Sequence, residues 1–191
     1  MKKIITLFTL LATVTLKAQD RNQMEQRVAD MVLFTKTNQF EKLLDYSHPR
    51  IFTYATREEM LRLMKGMFNG DGFTISMMDI PSEFSFGEIK TFNGNHYALI
   101  HHNLGIKMIY DAPLPKDKIE ERLNVFKAEM GTENVNYDPK QKALTAIKRV
   151  ELIAVYGAET KNQWVFINND GGIFIKSIVP QEVRQMLGAK E

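Results

Sequence analysis

At Phe73 the spacing of apolar residues changes from that of helices to that of strands, and this switch divides the chain in two. Ahead of it, Met24, Val28, Met31 and Val32 recur at helical intervals, which predicts an amphipathic helix over 22–36. Asn38 reads as the N-cap of a short second helix, with Glu41 as its capping-box partner. Phe40, Leu43 and Leu44 form its buried side and His48-Pro49 its exit. Thr56-Arg57-Glu58-Glu59 opens a third helix with the same box, and Asn69-Gly70 closes it. Its apolar face carries Met60, Leu61, Met64, Met67 and Phe68. Methionines so placed suit either a greasy binding groove or the filling of core gaps, and helical spacing favours the second.

Behind the switch, alternation predicts strands over 73–80, 83–92 and 96–110, with Asn93-Gly94 as a hairpin turn. Strands over 143–156, 163–168 and 173–179 follow, the last two joined through Asn169-Asp170-Gly171-Gly172. Between the two sets lies a helix over 117–130. Asp117 and Glu120 form its capping box, Ile119, Leu123, Phe126 and Met130 line one side, and Gly131 stops it. It reads as a decorated loop in preference to a lid over a pocket. Pro180-Gln181-Glu182 starts a terminal helix with Val183, Met186 and Leu187 inward. Helices laid on a curved, mostly antiparallel sheet make the expected fold class α+β, with one inserted helix near 117–130.

The N-terminus reads as an address. Lys2 and Lys3 precede the uncharged run from Ile4 to Leu16, and Leu16-Lys17-Ala18 ends on a small residue where a signal peptidase would cut. The run falls short of the ~20 apolar residues that a membrane span needs. Residues 1–18 are therefore expected to be a signal peptide and 19–191 a single exported domain. Gln19 directly after the cut points to a Gram-negative bacterium and to the periplasm or beyond. The chain has no cysteine, so disulfides, a lipobox and cysteine-based zinc sites are excluded. Removing Lys2, Lys3 and Lys17 from 25 basic residues leaves 22 against 23 acidic ones, and the net charge of +2 disappears with the signal. With no basic run interleaved with aromatics, nucleic acid is not an expected partner, and neither is a membrane once the signal is gone.

The stretch from Asn38 to Pro49, the helix from Arg57, and the expected final strands Trp164-Val165-Phe166-Ile167 and 173–179 resemble the cone-shaped nuclear-transport-factor-like superfamily. That superfamily includes ketosteroid isomerases, scytalone dehydratases and SnoaL-like polyketide cyclases. The resemblance spans nearly all of the mature chain and implies a cystatin-like cone whose sheet is anchored by a Trp in a late strand. The 117–130 helix departs from the pattern, and the isomerase's Tyr and Asp pair and the dehydratase's His and Asp set have no counterpart here. The fold is implied; catalytic residues are not.

Four histidines are the acid–base candidates near neutral pH. His48 suits a capping role at a helix exit, and His96 a strand start near solvent. His101 and His102 are adjacent on one strand and point to opposite faces, which makes a shared metal unfavourable. His102 lies with Ala98, Ile100 and Leu104, residues suited to a cone interior. Arg149 and Glu151 share a face and are expected to pair on the solvent side. Tyrosine hydroxyls would accompany His102, and Tyr54 and Tyr110 join it as candidate ligand-binding residues. No catalytic residue, metal site or cofactor is expected. These features favour a non-catalytic exported domain that holds a small apolar ligand in its cone. An isomerase- or dehydratase-type enzyme using a pocket His and Tyr is one alternative. An envelope interaction module, homodimeric through its sheet face, is the other.

Overall fold

The computed structural model describes residues 21–190. The expected signal segment and the expected cut before Gln19 lie outside the described residues. Helix α1 covers 21–36 and turns Met24 and Val28 fully into the core. It closes on a Schellman arrangement: Gln39 N donates to Phe34 O at 2.8 Å, Asn38 N to Thr35 O at 3.2 Å, and Asn38 is left-handed at φ 55°. Asn38 is therefore the end of α1, not the N-cap of the next helix. Helix α2, Phe40–Leu43, starts from Gln39 with no side-chain cap and runs into a 3-10 turn, Leu44–Tyr46. A second 3-10 turn, Pro49–Thr53, is capped by His48, whose Nδ1 accepts from Arg50 N at 3.2 Å.

Helix α3, Arg57–Phe68, has the expected reciprocal capping box between Thr56 and Glu59. It ends at Asn69, which enters β1, Asn69–Gly70. Strand β2 is Phe73–Met77. Met78 N to Gly105 O extends its ladder, which then breaks because Ile80 N turns back to Met78 O and Pro81 has no N–H to give, before Asn103 N donates to Ser82 O at 2.6 Å. The expected strand over 83–92 is broken into β3, Ser85–Phe86, and β4, Lys90–Phe92. Asn93 and Gly94, at φ 48° and 77°, make a tight turn of the primed type into β5, Asn95–Tyr110.

The inserted helix is α4, Ile119–Met130. A 3-10 turn, Lys116–Lys118, leads into it, so Asp117 does not cap it; Gly131 at φ 62° does stop it. Strand β6, Val135–Asp138, has only four residues and gives no legible alternation in the sequence. Strand β7, Ala143–Tyr156, matches its expected bounds, and β8 is Val165–Asn168. The run 173–179 corrects the expectation of a strand: it forms α5, Ile173–Ile178, so the expected final hairpin does not exist. Gly172 and Pro180 bracket this turn of helix, and Ile175, Ile178 and Val179 are buried at helical spacing while Ile173 stays 65% exposed. Helix α6, Gln181–Leu187, ends on left-handed Gly188 and buries Val183.

All strand pairs are antiparallel, in the order β1-β2-β5-β7-β6. β3 and β4 pair with the first half of β5, and β8 pairs with the last part of β7. The α+β class is thus as expected, with a curled sheet that does not close. Its long central ladder runs unbroken from His96 opposite Tyr156 to Ile109 opposite Ala143. Because the pairing has no slip, even-numbered residues of β5 and β7 share one face throughout. On that face α1 packs against Ala98, Ile100, Leu152, Ala154, Trp164 and Phe166. On the reverse face α5 and α6 cover Leu99, Ile153, Val155 and Ile167. Farther along the first face, α4 seats Phe126 on Leu144 and Ala146. Between the α1 and α4 clusters, the middle of that face is left for a cavity.

Candidate functional site

The cavity measures about 570 Å³. Its floor is the middle of the sheet: His102, Leu104 and Gly105 from β5, Val150 and Leu152 from β7, and Phe166 from β8. Met31, Val32, Thr35 and Lys36 of α1 form one wall, and Phe40, Leu43 and Tyr46 continue it. Met64, Met67 and Phe68 of α3 form another, facing Met77, Met78 and Ile80. Gly105 lets this edge approach the floor: a Cβ there would lie 2.9 Å from Met78 Cβ and 3.0 Å from Ile80 Cδ1.

The methionines of α3 correct the gap-filling expectation. No residue of α3 is buried, and Met67 is 66% exposed. Phe68 is held by Phe40, with ring centroids 4.7 Å apart, so α3 leans on α2 at one end. Flexible thioethers on a lightly packed helix form an adaptable wall, which is the physical use of methionine at binding surfaces.

His102 reaches the cavity floor as strand parity indicates and is only 5% exposed. Its ring sits 5.5 Å from that of Phe84. Nδ1 lies 3.0 Å from Asn103 O, and since a carbonyl only accepts, Nδ1 carries the proton. Burial lowers the pKa of His102 from its ordinary value; the Asn103 carbonyl works against this and the Arg149 charge adds to it. The ring at neutral pH is thus an uncharged imidazole with Nε2 as a hydrogen-bond acceptor.

His101 does face the other way. Its Nε2 lies 3.0 Å from Glu151 Oε2, directly across the ladder. Glu151 is 7% exposed and also accepts from Asn169 Nδ2 and from Lys190 N at 3.0 Å. The expected solvent-side pairing of Glu151 with Arg149 is therefore corrected. Arg149 instead donates to Glu83 O and Asn103 Oδ1, each at 3.1 Å.

Neither candidate tyrosine lines the cavity. Tyr54 is 49% exposed and packs edge-on against Phe174 of α5, with centroids 5.3 Å apart. Tyr110 belongs to the α4 cluster, where burial raises its pKa. Sequence spacing could not separate these clusters, because Tyr110 shares a face with His102 but lies eight residues along the strand. The tyrosine at the cavity is Tyr46, whose ring lies under the Arg27 guanidinium at 4.3 Å. Burial and the Asp30 carboxylate raise its pKa, so the phenol keeps its proton.

The inserted helix contributes no lining side chain, so it caps the far end of the sheet and is not a lid on this cavity. Among the described residues, no group of three or more metal-ligating side chains comes together. No helix among them is long and apolar enough to cross a membrane. A single neutral imidazole, with the nearby carboxylate of Glu151 occupied on the opposite face, is an arrangement that can hold a ligand by shape and hydrogen bonding. No protein-family model, curated protein or solved structure matches the chain.

Proposed function

We propose that this chain is an exported, non-catalytic domain of the nuclear-transport-factor-like cone superfamily that binds a small, mostly apolar ligand between its helices and its sheet. The observation that carries this reading is the 570 Å³ cavity, within the ~300–1,000 Å³ range of small-molecule sites. Methionine, phenylalanine and leucine supply its main apolar surface, and His102 offers one oriented polar group. The packed clusters on either side of the cavity keep the sheet rigid, whereas the α3 wall can adapt to what enters.

Native mass spectrometry of protein purified from the periplasm of its own host tests both halves of the reading. The expected spectrum shows a chain starting at Gln19 with a retained small molecule. A chain carrying Met1, or a bare chain that also takes up no apolar probe, overturns the corresponding half.

A further inference from the structure

Lys148 faces the cavity floor from the middle of β7, opposite Leu104 and between Ala146 and Val150 on the same face. A half-buried ammonium among such neighbours needs compensation. Its one hydrogen bond among the described residues goes to Met130 O at 3.0 Å, at the end of α4. No described carboxylate lies within ion-pair distance of it. An ammonium has three donors, so two remain.

The remaining charges of the cavity do not supply the missing anion. Lys36, Arg149 and Lys190 are the other basic residues at the lining and Glu151 and Asp170 the acidic ones, with the Arg149 and Glu151 side chains turned to the reverse face of the sheet. Glu151 is engaged by His101, Asn169 and the Lys190 amide. Asp170 Oδ1 is turned onto Gly172 N at 2.9 Å, closing its own loop. Lys36 already donates to Ile80 O at 3.1 Å. Lys36 also pairs with Asp79 at 3.5 Å, and Arg149 and Lys190 are exposed, so Lys148 is the partly buried cavity cation with no acidic partner among the described residues.

We infer that the ligand is an anion-headed amphiphile whose carboxylate or phosphate is seated on the Lys148 ammonium, with its alkyl tail among Met31, Met64, Met67 and Phe68. This inference rests on the cavity being a ligand site. Across the ladder, His102 and Lys148 occupy diagonal positions, since His102 pairs with Val150 and Leu104 with Lys148. Diagonal neighbours stand ~7–8 Å apart, a span that one head group and an adjacent hydroxyl or water can bridge. His102 Nε2, an acceptor, takes the hydroxyl or water; Lys148, a donor, takes the anion. A neutral apolar ligand would leave the ammonium as it stands.

The test uses the mature chain and three probes with one tail: dodecanoate, dodecyl phosphate and dodecanol, titrated below their micellar range at neutral pH. At least one anion should bind about tenfold or more tighter than the alcohol. Whichever anion leads identifies the head chemistry as carboxylate or phosphate. Lys148→Met should erase the preference without weakening dodecanol, and Lys148→Arg should retain it, with thermal melts confirming that both variants fold. Equal binding of all three probes by the native chain overturns the head-group inference and leaves the cavity reading standing. A preference that survives Lys148→Met also overturns it, and reduces Lys148 to the cation that caps α4. Binding of none of the three overturns the cavity reading and this inference together.

Discussion

Trp164 is fully buried against Met24 and Val28 of α1, with the Tyr156 ring 5.3 Å away. Its carbonyl accepts from Arg27 Nε at 2.6 Å, a backbone contact that a side-chain truncation leaves in place. Trp164→Ala removes an aromatic of roughly 150–250 Å², worth about 4–6 kcal/mol at ~25 cal/mol per Å², as an upper bound. One polar term opposes this: the indole Nε1 is buried without a partner among the described residues, and an orphaned donor costs about 1–3 kcal/mol. The difference is about 1–5 kcal/mol, and the cavity left behind adds to it, so the expected loss is about 3–5 kcal/mol, as for other large aromatic truncations. Trp164→Phe discards the unpaired N–H and keeps a ring, so it should cost about 1–2 kcal/mol. The assay is a urea titration read by far-UV circular dichroism, because Trp164 is the only tryptophan and the variants lose its fluorescence. A loss below about 1 kcal/mol for the alanine variant refutes the packing argument. Equal losses for alanine and phenylalanine refute the account of the indole N–H.

Thr56→Ala should destabilise the protein by about 1 kcal/mol, and because no residue of α3 is buried, amide exchange should rise first over residues 57–62. Protection there that matches the native chain would contradict the lightly packed wall. Gly105→Ala should cost about 1–3 kcal/mol, since the new methyl meets Met78 Cβ at 2.9 Å; an unchanged melting temperature would show that the cavity edge shifts freely. Burial lowers the pKa of both His48 and His102 from 6.5, so their unfolded forms hold protons more tightly than their folded forms. Their stabilising contribution is complete above about pH 6.5 and declines as the pH falls from there through the folded-state values. Urea midpoints should therefore drop on acidification, and less steeply in His102→Asn; identical slopes would place the His102 ring in water.

Much of the frame was legible because its residues obey one period over many positions. β7 matched its expected bounds, and β5 differed only by starting at Asn95, where the Asn93-Gly94 turn sets its register. The Thr56 box announced α3, and Trp164 announced the core. The run from Ile173 to Val179 misled because β-branched residues favour strands locally, whereas the packing of Ile175 and Ile178 on the reverse face of the sheet decides for helix. Asn38 misled because the same short side chain serves at a cap or in a left-handed position, and only the following hydrogen bonds distinguish them. For the site, strand parity sufficed to aim His102. It could not exclude Tyr110, since position along a face depends on which helix covers which stretch. Lys148 gave no signal, because its meaning depends on having no carboxylate nearby in space.

The central claim is that the space between α1, α3 and the middle of the sheet receives a ligand. Methionine methyl groups report on it directly, because they are distributed over all three apolar clusters. Met31, Met64, Met67, Met77 and Met78 line the cavity, whereas Met108 lies in the α4 cluster and Met186 on the reverse face. A carbon-13 methyl-methionine spectrum of residues 19–191, recorded while dodecanoate is added, should show saturable shifts at the five lining methyls and none at Met108 or Met186. Shifts confined to those two, or no shift at any methionine, would contradict the account.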